Sequence, residues 1–208
     1  MKNPLTIKHE SLTKLSLKAS VLSLLTVLIY YFSNNTAQIV LFEVLGASVS
    51  VAVLFFSFSF FLKDFIQKKM GTKFAIYNTI FATVLVASLY IQSALVAGGH
   101  DFSFFWVLIV STTSAIITET IDSLVFRKIF KNDTSKGGRG ALISNLISVP
   151  LDTIIFSFFA LHLVFQMPTS LVISLAFGQI ILKYTLSGLL TPIIAKVKAG
   201  DVWKNEQA

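Results

Sequence analysis

Asp152 and Lys183 carry opposite charges inside long apolar runs, at matching distances from the basic ends of those runs. A charge held in hydrocarbon costs several kcal/mol unless it is paired or wetted, so such residues mark either helix contacts or a path for a polar solute. Further polar residues extend both positions along single helical faces. Asn145, Ser148 and Asp152 recur at helical spacing, as do Gln179, Lys183 and Ser187. Ser111, Ser114, Thr118 and Asp122 share another face, with Glu119 beside them. Glu43, Ser50, Ser57 and Asp64 recur every seven residues, which on a helix draws one slowly drifting stripe. Asn78, Ser88 and Gln92 are weaker members of the same kind. Together these residues offer carboxylates, amides, hydroxyls and one ammonium. That set suits hydrogen bonding to a polar, flat solute better than a stream of bulk ions.

Covalent chemistry has no visible machinery. The chain contains no HExxH, no GxSxG, no GxxxxGK[ST] and no Cys or His spacing of a metal site. Its histidines, His9, His100 and His162, are far apart, and it has no cysteine. We therefore read a protein that is not an enzyme, with no cofactor and no metal.

The elements that position these residues follow from composition. The chain has 208 residues, 54% of them hydrophobic and 13% charged, with a mean hydropathy of +0.78. Soluble domains carry about 25% charged residues, so lipid takes the place of much of the missing solvent. Windows of spanning length predict six transmembrane helices, over residues 15–32, 40–61, 74–96, 102–126, 141–165 and 170–194. Ser33-Asn34-Asn35, Gly98-Gly99, Gly137-Gly138 and Pro168 mark the joins. The fold class is an all-α integral membrane protein, a bundle of six transmembrane helices. Residues 1–14 and 195–208 form cytoplasmic tails around a membrane domain over 15–194.

Orientation comes from the basic residues. Of the 17 Lys and Arg, all but Lys183 precede or enter the start of the first span, or fall between the second and third, between the fourth and fifth, or after the sixth. The other three connections carry none. The positive-inside rule places that side, and both termini, in the cytoplasm. Lys63, Lys68, Lys69 and Lys73 read as one topogenic run, and Asp122 as an interfacial acid near Arg127. The net charge of +7 is then explained by topology and contact with lipid headgroups, and nucleic acid is not expected as a partner.

Four blocks in order carry a family resemblance. They are Phe60-Phe61-Leu62-Lys63-Asp64 closing on Gly71; Thr118-Glu119 and Asp122 followed by Phe126-Arg127; Ser144-Asn145, Ser148 and Asp152-Thr153; and Gly178-Gln179 followed by Lys183. Over about residues 40–195 the chain resembles the queuosine precursor transporters, also called the vitamin uptake transporter family. It departs from the pattern at Val149, where many relatives place Gln. The resemblance implies import of 7-cyano- or 7-aminomethyl-7-deazaguanine across the bacterial inner membrane for queuosine salvage in tRNA. It implies substrate contacts from Asp152, Lys183, Glu119, Asp122, Asn145, Gln179 and Ser148, with Asp64 and Gly71 as further motif positions. The implied partners are a small 7-deazaguanine base and membrane lipids, with a second copy of the chain or an energising module left open.

Three other readings stand beside this one. The chain is a substrate-binding subunit of an ATP-energised uptake system, although its first span lacks the Ala-x-x-x-Ala spacing of a docking helix. Alternatively it is a membrane scaffold whose buried polar groups only join helices, or an enzyme acting on lipid at headgroup depth through Glu119 and Asp122.

Overall fold

The computed structural model describes residues 4–36, 39–44, 47–97, 102–130 and 137–198. The Gly98-Gly99 join, the basic residues Lys131 and Lys136, and the tail beyond residue 198 lie outside the described residues. The described residues form six α-helices: α1 (Pro4–Asn35), α2 (Ala52–Met70), α3 (Thr72–Ala97), α4 (Phe102–Phe130), α5 (Gly137–Phe156) and α6 (Thr169–Lys196). A short hairpin of β1 (Val40–Val44) and β2 (Ala47–Ser50) precedes α2.

Among the described residues, five helices are long and apolar enough to cross a membrane: α1 from Ser16, α3, α4, α5 with its continuation to Val164, and α6. Their outer faces carry large apolar side chains such as Tyr77, Phe81, Leu95, Leu146, Ile173 and Leu189. The interior holds Thr118, Glu119, Asp122 and Ser123, each at most 1% exposed. Polar inside and apolar outside is the arrangement a lipid solvent selects. Small residues let the helices approach closely. Ala82, Ala115, Ala141 and Ala160 are all buried, and a Cβ on Gly138 would lie 2.9 Å from the Cβ of Ala195 in α6.

The second span differs from its sequence reading. Val40–Val44 and Ala47–Ser50 pair as antiparallel strands, with Phe42 opposite Val49 and Glu43 opposite Ser48, and a bulge between Val40 and Phe42. A short apolar run does not distinguish strand from helix by itself. Here Val40, Phe42 and Val44 alternate, and Val49 and Val51 follow Gly46, which favours a strand pair. The seven-residue stripe is consequently broken. Glu43 sits exposed in the hairpin, Ser50 pairs with Val40, and only Ser57 and Asp64 remain on the helix.

The helix starts late and runs on to Met70, so Lys63, Asp64, Lys68 and Lys69 become part of it. With four charges, α2 is too polar to count among the membrane-length apolar helices. It does not need to be apolar, because it packs against α1, α3, α4, α5 and α6. Only Phe58 in it is exposed. At 19 residues, or about 28 Å, it matches the thickness of a bilayer core.

Gly71 joins α2 to α3 by itself. Its φ of 91° and ψ of 164° fall in a region essentially reserved for glycine. Its N–H caps α2 on the carbonyl of Gln67. Gly71→Ala is expected to destabilise the bundle by about 1–3 kcal/mol, read as a lower midpoint of thermal unfolding in detergent.

Further along the chain, Gly137-Gly138 forms the first turn of α5 rather than a join. Pro150 lies inside α5 without ending it. A proline leaves the carbonyl four residues earlier without its N–H, and the hydroxyl of Tyr184 in α6 donates to that carbonyl, Leu146 O, at 3.1 Å. The helix then widens into π turns over Ser157–Val164.

Candidate functional site

The bundle has two distinct ends. The basic end gathers the C-termini of α2, α4 and α6 with the N-terminus of α5, where Phe126, Ala141 and Ile194 cluster. Lys68 is buried there and donates to the carbonyls of Ile194 at 3.0 Å and Ala195 at 3.4 Å, a cation on the last turn of α6. The hairpin lies at the other end, against α6 and α2.

At half height, α5 and α6 meet through a salt bridge. Lys183 Nζ donates to Asp152 Oδ2 at 2.8 Å and to Thr153 Oγ1 at 3.0 Å. Ser114 of α4 donates to Asp152 Oδ1 at 2.9 Å. The ammonium also lies 5.1 Å from the centroid of the Phe56 ring, within cation–π range. The pair expected from equal depth in consecutive spans is therefore formed, and each group is nearly completely buried.

Toward the basic end lies a second charged group. Lys63 of α2 pairs with Asp122 of α4 and stands 3.5 Å from Asp64. Ser148 of α5 donates to Asp122 Oδ1 at 2.7 Å. The partner of Asp122 is thus Lys63 rather than Arg127, which is exposed. Asn145, one turn from Ser148, donates to Ser187 Oγ of α6 at 2.9 Å.

Glu119 occupies a third position, among hydroxyls. Tyr30 of α1 and Ser59 of α2 donate to Oε1, the latter at 3.0 Å. Thr79 of α3 donates to Oε2 at 3.0 Å. One carboxylate thereby ties together four helices.

Of the residues singled out from sequence, Asp152, Lys183, Asp122, Ser148, Asn145 and Asp64 face one another along α2, α4, α5 and α6, and Glu119 stands one helix away. Gln179 is only partly buried and makes no hydrogen bond among the described residues. Ser88 and Gln92 are exposed, whereas Asn78 joins α3 to Thr26 of α1 at 2.8 Å. Sequence reasoning missed Lys63, Tyr30, Ser59, Thr79 and Phe56. Two signals were available: Thr26, Tyr30 and Ser33 recur on one face of α1, and Ser59, Lys63 and Gln67 on one face of α2.

The polar faces close directly on one another and leave narrow crevices among the described residues. One lies in the hairpin half among Tyr30, Phe56, Thr83 and Ser111, with an empty volume of about 360 Å³. The other lies in the basic half between α2, α5 and α6, with an empty volume of about 220 Å³. The Asp152–Lys183 pair sits between them in height.

Apolar helices of bilayer length closing on ionised side chains define a multi-pass membrane protein with a polar interior. The family described as "putative vitamin uptake transporter" matches residues 50–197. The chain belongs to this vitamin uptake transporter family, in keeping with the resemblance to the queuosine precursor transporters. No curated protein and no solved structure is similar enough to the chain to match it.

Proposed function

We propose that this transporter imports queuosine precursors, 7-cyano- or 7-aminomethyl-7-deazaguanine, across the bacterial inner membrane. In this reading all six helices cross, and the basic end and both termini face the cytoplasm. The observation that carries it is the charge balance of the interior. Among the described residues, four buried acids, Asp64, Glu119, Asp122 and Asp152, accompany two lysines in ion-pair contact, Lys63 and Lys183. An excess of acceptors suits a solute rich in donors. A deazaguanine presents a ring N–H beside an amino group, an edge that a carboxylate accepts at two points. Its carbonyl suits Lys183, Asn145 or Gln179 as donor, and the rings of Phe56 and Phe60 offer faces for stacking. Ser148 and Asp122 belong to the same lining.

The test is salvage. The gene is expressed in a bacterium that neither makes nor imports queuosine precursors, trace 7-cyano-7-deazaguanine is supplied, and tRNA is assayed for queuosine. Modified tRNA is the expected result. Normal membrane abundance with unmodified tRNA rejects the substrate. Repeating the assay with candidate energising ATPases deleted separates a self-sufficient carrier, which keeps its activity, from a binding subunit, which loses it.

A further inference from the structure

We infer that the crevice between α2, α5 and α6 receives the donor edge of the solute, with Asp64 Oδ1 and Asn145 Oδ1 as the two acceptors. The inference rests on the import reading for the identity of the solute, and locates its recognition away from the Asp152–Lys183 pair.

The other buried carboxylates are already engaged. Asp152 has Ser114 on one oxygen and Lys183 on the other. Glu119 has hydroxyls on both. Asp122 has Ser148 on Oδ1 and Lys63 at Oδ2. Asp64 and Asn145 differ. Asp64 is 1% exposed, and its Oδ1 has no hydrogen bond, only the long contact with Lys63, while the Asn145 side chain lies beside the same carboxylate. Asn145 is 4% exposed; its amide nitrogen is fixed by Ser187, which leaves Oδ1 without a donor. Buried acceptors of this kind are rare and call for a partner.

Among the described residues, both line the same crevice, and none of the other buried atoms without a hydrogen bond does. Gln67 Oε1, Asn78 Oδ1, Ser123 Oγ and Ser157 Oγ belong to residues outside it. Phe60, Phe61 and Leu190 supply its apolar walls. Two acceptors, one of them a carboxyl group, beside apolar side chains suit the edge of a ring that presents adjacent N–H groups. The crevice opens in the basic half of the bundle. On the import reading it is the last station before release, and the Asp152–Lys183 pair separates it from the crevice of the hairpin half.

The experiment measures equilibrium binding to the full chain in lipid nanodiscs, with 7-cyano-7-deazaguanine and its analogue lacking the 2-amino group. Wild-type protein is expected to bind the analogue about 10- to 100-fold more weakly, the range for one hydrogen bond to a charged or buried acceptor. Asp64→Asn and Asn145→Ala are each expected to weaken the parent compound by a similar factor and to shrink its advantage over the analogue. Equal binding of the two compounds by wild-type protein overturns the inference, as does full retention of affinity and discrimination in both variants. Should Asp64→Asn fail to accumulate, Asn145→Ala and the analogue comparison decide the matter. Wild-type protein that binds neither compound overturns the import reading together with this inference, an outcome distinct from binding that ignores Asp64 and Asn145.

Discussion

Lys183→Met is expected to abolish uptake and to lower stability by about 3–5 kcal/mol, because it leaves the Asp152 carboxylate buried without its counter-ion. Asp152→Asn strands the ammonium in the same way, with only Thr153 and the Phe56 face beside it. The double variant Asp152→Asn/Lys183→Met removes both charges. A neutral pair of similar volume is often as stable as the ion pair it replaces, so the double variant is expected to recover most of the lost stability. Uptake is expected to stay at background. Thermal unfolding in detergent, run beside the tRNA salvage assay, separates the two quantities. A double variant that regains transport along with stability shows that the pair joins α5 to α6 and has no further role, which is what the scaffold reading holds.

Lys63→Met is the second large effect. Read as a residue of a basic loop, Lys63 contributes topogenic charge, and its loss among so many neighbouring lysines is nearly neutral. In the fold it is 3% exposed and lies against Asp64 and Asp122. Its removal leaves two buried carboxylates from α2 and α4 facing each other, with an expected loss of about 3–5 kcal/mol. The protein is then expected to fall sharply in abundance in membrane fractions. Adding Asp122→Asn is expected to restore part of it, since the repulsion goes with the charge. Wild-type abundance of the single variant contradicts the buried trio directly.

The two predictions differ in how much of them was legible in the sequence. Asp152 and Lys183 stand isolated in long apolar runs, so hydropathy fixes their depth, and consecutive antiparallel spans bring equal depths together. Lys63 carries no such signal. A hydropathy window measures fitness for lipid, and a helix surrounded by protein answers to a different solvent. The window therefore placed the second span too early, over the hairpin, and left the charged half of α2 in a loop. Glu119 was recognised as a buried acid, but its partners were not. Tyr30, Ser59 and Thr79 come from three other helices, and their convergence is a property of packing rather than of spacing. Gln179 shows the converse limit. Its spacing with Lys183 and Ser187 puts it on the right face, yet at its height no polar group of a neighbouring helix meets it.

The central position of α2 also bears on how the protein is made. Each charged residue near the middle of a helix costs about 2.5–3.5 kcal/mol when that helix partitions alone from the translocon into lipid. With Lys63 and Asp64 adjacent in its second half, α2 is a poor candidate for release by itself. Asp122, the residue that neutralises Lys63, arrives two helices later in synthesis. If α2 crosses as the sixth span, the nascent chain has to keep it sheltered until α4 emerges, and these helices are expected to enter the bilayer as a group.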